Sequence, residues 1–333
     1  MGVAIRDILK EYKRPAEWDC LRGRAAFDGN NALYQFLTTI RQPDGTPLMD
    51  SEGRVTSHLS GLFFRLTNFI EKGVSPVFIF DGKPPEFKNR TISERRAAKE
   101  QAEAGLKEAL KAGDNQAAFS YARSSTRVDR EIIDSSKRLL SLMGIPYLDA
   151  PSEGEAQAAF MVSEGIVDYS VSQDYDSLLF GAEKLVRNLT VSRKRKIRGR
   201  TITVNPETIS LDEVLSGLEI TREQLVEIGI LIGTDFNSGI RGIGPKKALK
   251  IVRDGTFENI LSESMPEFDY LPVKDFFLNP PVKENVIPDY GAVDGAGVTE
   301  FLCVEHGFSK ERINTVLEKI NAGAGQKTLD QWF

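Results

Sequence analysis

Four apolar runs in this chain each end in acidic residues, and few folds use that pattern so often. Ala25, Ala26 and Phe27 run into Asp28, and residues 76–80 run into Asp81. Tyr147 and Leu148 lead to Ser152, Glu153, Gly154 and Glu155, and residues 167–173 lead to Asp174, Tyr175 and Asp176. One carboxylate at a strand end is ordinary, because loops are polar. Four repetitions, two of them with paired acids, point to a parallel α/β sheet, where the carboxyl ends of the strands share one edge and ligands bind along it. Asp235 brings the acids expected at that edge to seven. So many carboxylates close together do not stay ionised without counter-charge. A divalent ion is the natural partner, and an all-oxygen donor set favours Mg²⁺ or Mn²⁺ over zinc.

The 333 residues suffice for a large core, arranged as one α/β unit or about two domains. No apolar run approaches the ~20 residues that span a bilayer. Arg6 and Asp7 interrupt the first apolar stretch too early for a signal peptide. The expectation is a protein with no membrane contact that is not secreted. Cys20 and Cys303 show no pairing pattern, which fits a reducing compartment. His58 and His306 are too few for a multi-histidine zinc centre and read as surface or satisfied side chains. A net charge of −5 argues at first against a nucleic-acid partner. The average hides segregation: residues 192–200 hold six basic residues and no acid, and further basic clusters lie at 83–99 and 241–253. Basic patches beside an acidic cluster suit a metal-dependent enzyme acting on a polyanion. The plainer reading of each patch is solvated surface.

Along the chain, a first helix is expected at 3–12, a strand at 24–28 and a helix near 30–41. Leu59, Leu62, Phe63, Leu66 and Ile70 recur at helical spacing within 57–72. A strand follows at 74–81. Residues 92–112 and 114–123 read as charged helices with few large apolar residues, so they have little to bury. With core periodicity returning at 128–143, residues 83–127 look like an insertion with a basic face. Strands are expected at 145–148 and 167–173, with a helix at 153–164 between them. Residues 184–188 and the basic run up to 204 read as a strand pair. Helices are expected at 221–232, 245–253 and 309–321. Residues 262–298 are broken by Pro and Gly and receive no regular structure.

Ser152, Glu153, Gly154 and Glu155 admit a structural reading, a capping box with Ser152 as N-cap and Glu155 three residues on. Asp174 and Asp176 would point the same way if the chain stays extended there, the plainer alternative being a polar turn. Residues 239–248 join two helices through Gly239, Gly242 and Gly244, then Pro245, Lys246 and Lys247. Such glycines let backbone approach a ligand, and a helix N-terminus opening on Pro is an anion site. The turn is similar to a helix-hairpin-helix grip on a phosphate backbone. Gln326, Leu329, Trp332 and Phe333 stand at spacings of three, six and seven. On one helical turn the last three make a three-pronged anchor for a partner, unless the tail packs on its own body.

Taken together these strings resemble the structure-specific 5′ nucleases (the XPG superfamily), and most closely a flap endonuclease of archaeal type. Phe80-Asp81-Gly82-Lys83-Pro84-Pro85, the run from Ala150 to Ala158, Ser172-Gln173-Asp174-Tyr175-Asp176-Ser177 and Gly233-Thr234-Asp235 match that family's hallmark strings in order, across essentially the whole chain. The resemblance implies an α/β fold with a mostly parallel central sheet flanked by helices, of the PIN-like 5′ nuclease kind. It carries a helical arch insertion, a helix-hairpin-helix (H2TH-type) element and a flexible clamp-binding tail. The implied segments are an N-terminal nuclease segment at 1–99, the arch at 83–127 and an internal nuclease segment at 117–260 holding the turn at 239–253. A C-terminal region at 261–322 and a clamp-binding peptide at 326–333 complete the chain.

Within that resemblance, Asp28, Asp81, Glu153 and Glu155 would serve one Mg²⁺, and Asp174, Asp176 and Asp235 a second, with Mn²⁺ able to substitute. Lys88 and Arg95 match basic residues at the scissile phosphate, and Tyr34 matches an aromatic that stacks on a terminal base. Gly242, Gly244, Lys246 and Lys247 would hold duplex DNA, with a K⁺ ion at the turn. Gln326, Leu329, Trp332 and Phe333 would engage a PCNA-type sliding clamp. The implied activity is Mg²⁺-dependent cleavage at the base of 5′ flaps, with 5′–3′ exonuclease activity, in Okazaki fragment maturation and long-patch base excision repair. The implied setting is the cytoplasm or nucleoid of an archaeal-type cell, with branched DNA as substrate and the protein a monomer. Competing readings are a related exonuclease or repair endonuclease, a non-catalytic clamp-bound DNA scaffold, and a two-metal phosphatase for small molecules.

Overall fold

The computed structural model describes residues 2–42, 45–190, 194–197 and 200–330. It describes side chains at all of these except 89, 90, 92, 115, 116, 194–197, 200–203 and 321–330. The strands are β1 (Arg14–Pro15), β2 (Gly23–Asp28), β3 (Val74–Phe80), β4 (Tyr147–Asp149), β5 (Tyr169–Val171), β6 (Lys184–Arg187), β7 (Lys194–Ile197), β8 (Arg200–Thr203) and β9 (Glu207–Ser210). Among the described residues seven of them form one sheet in the order β1-β9-β6-β5-β2-β3-β4. The five strands from β6 to β4 are parallel; β9 and β1 join antiparallel at the other edge. The expected mostly parallel sheet is therefore present. Its chain order reverses between β5 and β2, so the ligand crevice of such a sheet falls there.

The helices are α1 (Gly29–Thr39), α2 (Ser57–Ser60), α3 (Leu66–Glu71), α4 (Asn89–Ala112), α5 (Asn115–Ser124), α6 (Arg130–Leu142), α7 (Gly154–Ser163), α8 (Asp176–Leu179), α9 (Leu211–Leu218), α10 (Arg222–Ile232), α11 (Pro245–Arg253), α12 (Phe257–Ser264), α13 (Leu271–Leu278), α14 (Gly295–Thr299) and α15 (Lys310–Asp330). A π-turn at 61–65 joins α2 to α3, so the helix expected at 57–72 is present with one irregular turn.

Because β2 is central, both its faces are buried, and Ala25, Ala26 and Phe27 are fully inaccessible. On one face Phe27 stacks on Phe78 at 5.2 Å and on Phe69 at 6.0 Å. On the other, Ala26, Val77 and Ile79 pack with Ala158, Met161 and Val162 of α7. α7 is apolar nearly all round, which is what a helix buried on every side requires. α4 and α5 pack on each other through Ala102, Ala109, Ala118 and Ala122, all buried. Small residues suffice there because a two-helix arch has no sheet to cover.

Four expectations need correction. Residues 3–12 are not an α-helix: turns lead to a 3₁₀ turn at Lys10–Tyr12. The Gly2 and Val3 N–H groups donate to Asp174 at 3.1 Å and Asp176 at 2.6 Å, which ties the start of the segment elsewhere. β6 does not pair with the basic run; it lies between β5 and β9, while β7 and β8 pair with each other. Residues 262–298 are not irregular throughout, since α13 and α14 lie there. Their Phe276, Phe277 and Val298 are buried. Finally β1, β9, α9 and α12 were not expected.

Both histidines are packed inside. His58 is buried, with Nε2 2.9 Å from Ser135 Oγ, and His306 Nδ1 lies 3.0 Å from Asp50. Burial, then the nearby His306, lowers His58 to a pKa of about 3. A folded-state value below the unfolded ~6.5 means that stability is complete above that pH and falls as pH drops towards 3. The wild type is expected to lose about 2 kcal/mol more than His58→Gln between pH 7 and pH 5, read by urea unfolding at both pH values.

Candidate active site

The sheet edge brings the acids together one strand at a time. Asp28 ends β2 and is the N-cap of α1, accepting the Asn31 N–H at 2.9 Å. Asp81 follows β3 and accepts the Gly154 N–H at 2.8 Å, so it closes the first turn of α7. This replaces the expected capping box: Glu153, not Ser152, is the N-cap, and neither side chain caps. Freed from capping, the Glu153 carboxylate takes Lys88 Nζ at 2.5 Å. Glu155 accepts from Ser172 Oγ at 2.6 Å and Ser177 Oγ at 3.2 Å. Residues 173–175 bend and Asp176 opens α8, so the chain is not extended there. The two aspartates converge nonetheless, because the consecutive N–H groups of Gly2 and Val3 hold one each. Asn31 Nδ2 adds 3.0 Å to Asp174. Asp235 follows α10 and pairs with Arg95, with Lys88 Nζ 4.0 Å away.

The seven acids act on one another electrostatically. Asp28 is raised well above the carboxylate range by burial, then by Asp81, with Asp174 and Glu153 adding. Glu155 is raised well above it by burial, then by Asp176, Asp28 and Asp174. Burial and then Asp235 push Asp176 up to about 7, against the Val3 hydrogen bond. Asp81 and Glu153 are raised by burial first, each feeling Asp235 as well. Every one of the seven thus appears in a single web of repulsion.

The only cations acting on this web from the arch side are Lys88 and Arg95, among the described residues. Two cations do not neutralise seven carboxylates. Among the described residues no three such side chains are set in ion-holding geometry, since Lys88, Arg95, Asn31, two serines and backbone N–H groups engage the oxygens. The donor set itself, all carboxylate oxygen with Asp28 and Asp176 buried, fits hard divalent cations.

Tyr34 is on α1, three residues beyond Asn31, and is 37% exposed. Gly244 is the N-cap of α11 and Pro245 its first residue, while Gly242 sits at φ +83° with open space around it. Lys246 and Lys247 are exposed beside them. Gln326 and Leu329 are in the last turns of α15 and their side chains are not described; Trp332 and Phe333 lie outside the described residues. Sequence reasoning missed Asn31, Ser172 and Ser177 as partners of the acids. The nearness of each to an acid in the chain was the available signal.

The XPG N-terminal domain model matches residues 1–102 and the XPG I-region matches 144–235. These two spans hold all seven acids, and most of the α4–α5 arch lies in the gap between them. Flap endonuclease 1 of Methanosphaerula palustris is 61% identical over the whole of both chains. The chain belongs to the flap endonuclease 1 family. Among solved structures, flap endonuclease-1 from Methanococcus jannaschii superposes with a TM-score of 0.76 at 39% identity, covering 95% of this chain and 97% of that one. The catalytic core of Rad2 in complex with DNA has a TM-score of 0.71 at 24% identity over 95% and 99%, a likeness of fold alone. A flap endonuclease 1 family member is a nuclease, a hydrolase of phosphodiester bonds in DNA that depends on a divalent metal. The scaffold and small-molecule phosphatase readings fall with that membership.

Proposed function

We propose that this site cleaves one phosphodiester at the base of a 5′ flap, with two Mg²⁺ ions held by the seven carboxylates. The observation that carries the reading is the entry of Lys88 and Arg95, from the base of the arch, into the acid cluster at the carboxyl edge of the sheet. Asp28, Asp81, Glu153 and Glu155 would hold one ion, and Asp174, Asp176 and Asp235 the other. Bound ions of this kind lower the pKa of water and neutralise phosphate charge. The chain's own residues do the rest. Lys88 and Arg95 exchange their carboxylate partners for the phosphate oxygens that gain charge at the transition state. Tyr34 stacks on a terminal base of the DNA. The α4–α5 arch, whose base carries Lys88 and Arg95, restricts the site to strands that are unpaired, which selects structure rather than sequence.

The turn before α11 grips the duplex through the Gly242 and Gly244 backbone, Lys246 and Lys247, with K⁺ as a further ligand of that turn. Phosphate contacts impose a salt slope. Lys246→Ala with Lys247→Ala is expected to weaken flap binding and to reduce the slope of log K against log salt by about 2, read by fluorescence anisotropy in Ca²⁺. Gln326, Leu329, Trp332 and Phe333 are assigned to a PCNA-type sliding clamp. Trp332→Ala with Phe333→Ala is expected to abolish stimulation by the clamp and to leave cleavage of free flap DNA unchanged, compared in one gel. The protein acts as a monomer at the nucleoid, in Okazaki fragment maturation and long-patch base excision repair, and removes 5′ nucleotides as an exonuclease.

The deciding experiment is a gel on a 5′-labelled double-flap substrate, with nicked and bubble substrates beside it, with and without Mg²⁺. One cut at the flap base that needs Mg²⁺ is the expected result. Preference for the nick or bubble would transfer the assignment to a related exonuclease or repair endonuclease.

A further inference from the structure

Asp174 is flanked by two residues that share one anchor. The Arg187 guanidinium, at the end of β6, donates from Nε and Nη2 to the Gln173 carbonyl at 3.0 and 2.8 Å. Its Nη1 donates to the Tyr175 hydroxyl at 2.5 Å and to Glu207 of β9 at 2.6 Å. Lys13 Nζ donates to the same hydroxyl at 2.5 Å and lies 3.4 Å from Glu207. The Arg187 carbon Cζ stands 4.0 Å over the Tyr175 ring, and Tyr175 is buried. None of these contacts touches an acid of the cluster. The residue before Asp174 and the residue after it are held, and the carboxylate between them is thereby aimed. The strand register supports the arrangement, since Arg187 pairs with Glu207 across β6 and β9.

We propose that Arg187 and Tyr175 are positioning residues for the Asp174 and Asp176 half of the ion site, setting its affinity for divalent metal without touching metal or DNA. The proposal rests on the two-ion reading above. Residues behind a ligand commonly change metal affinity by 10–100-fold. Arginine suits the role because its planar fork gives the Gln173 carbonyl two parallel N–H donors while a third nitrogen serves the hydroxyl, a fixed geometry that the single nitrogen of a lysine does not reproduce. Lys13 and Glu207 complete the ring of contacts and keep the charge of Arg187 balanced away from the acids.

The test compares wild type, Arg187→Lys and Tyr175→Phe by Mn²⁺ binding (free-ion electron paramagnetic resonance) and by flap cleavage over a Mg²⁺ titration. Arg187→Lys is expected to weaken Mn²⁺ binding and raise the Mg²⁺ midpoint about 10–100-fold, with kcat recovering at saturating ion. Tyr175→Phe keeps the ring and is expected to shift both in the same direction by less. The Kd for flap DNA in Ca²⁺ is expected to stay within twofold. Equal midpoints and Mn²⁺ affinities in all three proteins would overturn the proposal, as would a defect confined to DNA affinity or to kcat at saturating ion. If Arg187→Lys fails to fold, Tyr175→Phe decides alone. Failure of the two-ion reading is distinguishable, since the wild type itself would then bind no Mn²⁺.

Discussion

Asp176→Asn is expected to reduce flap cleavage by about 10³-fold or more, while the protein without ions becomes more stable. The two effects have opposite sign because one charge serves both. Asp176 is buried, and Asp235 and Asp174 repel it, so burial and repulsion together hold it at about 7. An amide removes that repulsion. Its oxygen still accepts the Val3 N–H, now at 2.6 Å, so the bond that ties this side chain to the start of the chain survives. What is lost is one negative ligand for a divalent ion. Melting curves in chelator should rise for the variant. Wild type should gain about 2.7 kcal/mol from ions at one hundred times their Kd, and the variant should gain much less. Wild-type cleavage by Asp176→Asn, or a melting temperature that ignores millimolar Mg²⁺ in the wild type, would remove the ion site from this edge of the sheet.

Lys88→Met is expected to slow cleavage by about 10²–10³-fold and to destabilise the ion-free protein. Burial works against the Lys88 ammonium, and Glu153, then Asp81 and Asp235, more than compensate and hold it charged. Methionine fills the same space without the charge, leaving the part-buried Glu153 without this cation. Breaking such a pair costs up to about 3 kcal/mol. Mg²⁺ should restore most of that stability and none of the rate, because ions can replace the ammonium beside Glu153 but not at the phosphate. Arg95→Ala should show the kinetic loss with a smaller stability change, since Arg95 is the more exposed of the two. Equal rates for Lys88→Met and wild type at saturating Mg²⁺ would reduce Lys88 to a structural counter-ion.

These two variants also divide what was readable in the chain from what was not. The helix at 245–253 was legible to the residue, because Gly244, Pro245 and the apolar positions Ala248, Ile251 and Val252 are local signals. The helix at 57–72 was legible from its spacing, though not its π-turn. The acids at the ends of β2 and β3 were legible because a buried parallel strand is a continuous apolar run that must stop in a polar loop. β1 was not: Arg14–Pro15 has two residues, both exposed, and exists only because β9 lies beside it. β9 itself alternates weakly, with Ile209 the one fully buried residue in its four.

The sequence by itself determined the chemistry of the site: seven acids, their places at strand ends, and the family that carries them. Which partner each acid takes was decided only by the tertiary structure. Gly2 bonds Asp174 across 172 residues, and Asp81 closes a helix 73 residues away. Local periodicity follows from the geometry of a single strand or helix. Partner choice follows from which distant segments the packed sheet brings within hydrogen-bonding reach, and no short window of residues carries that distance.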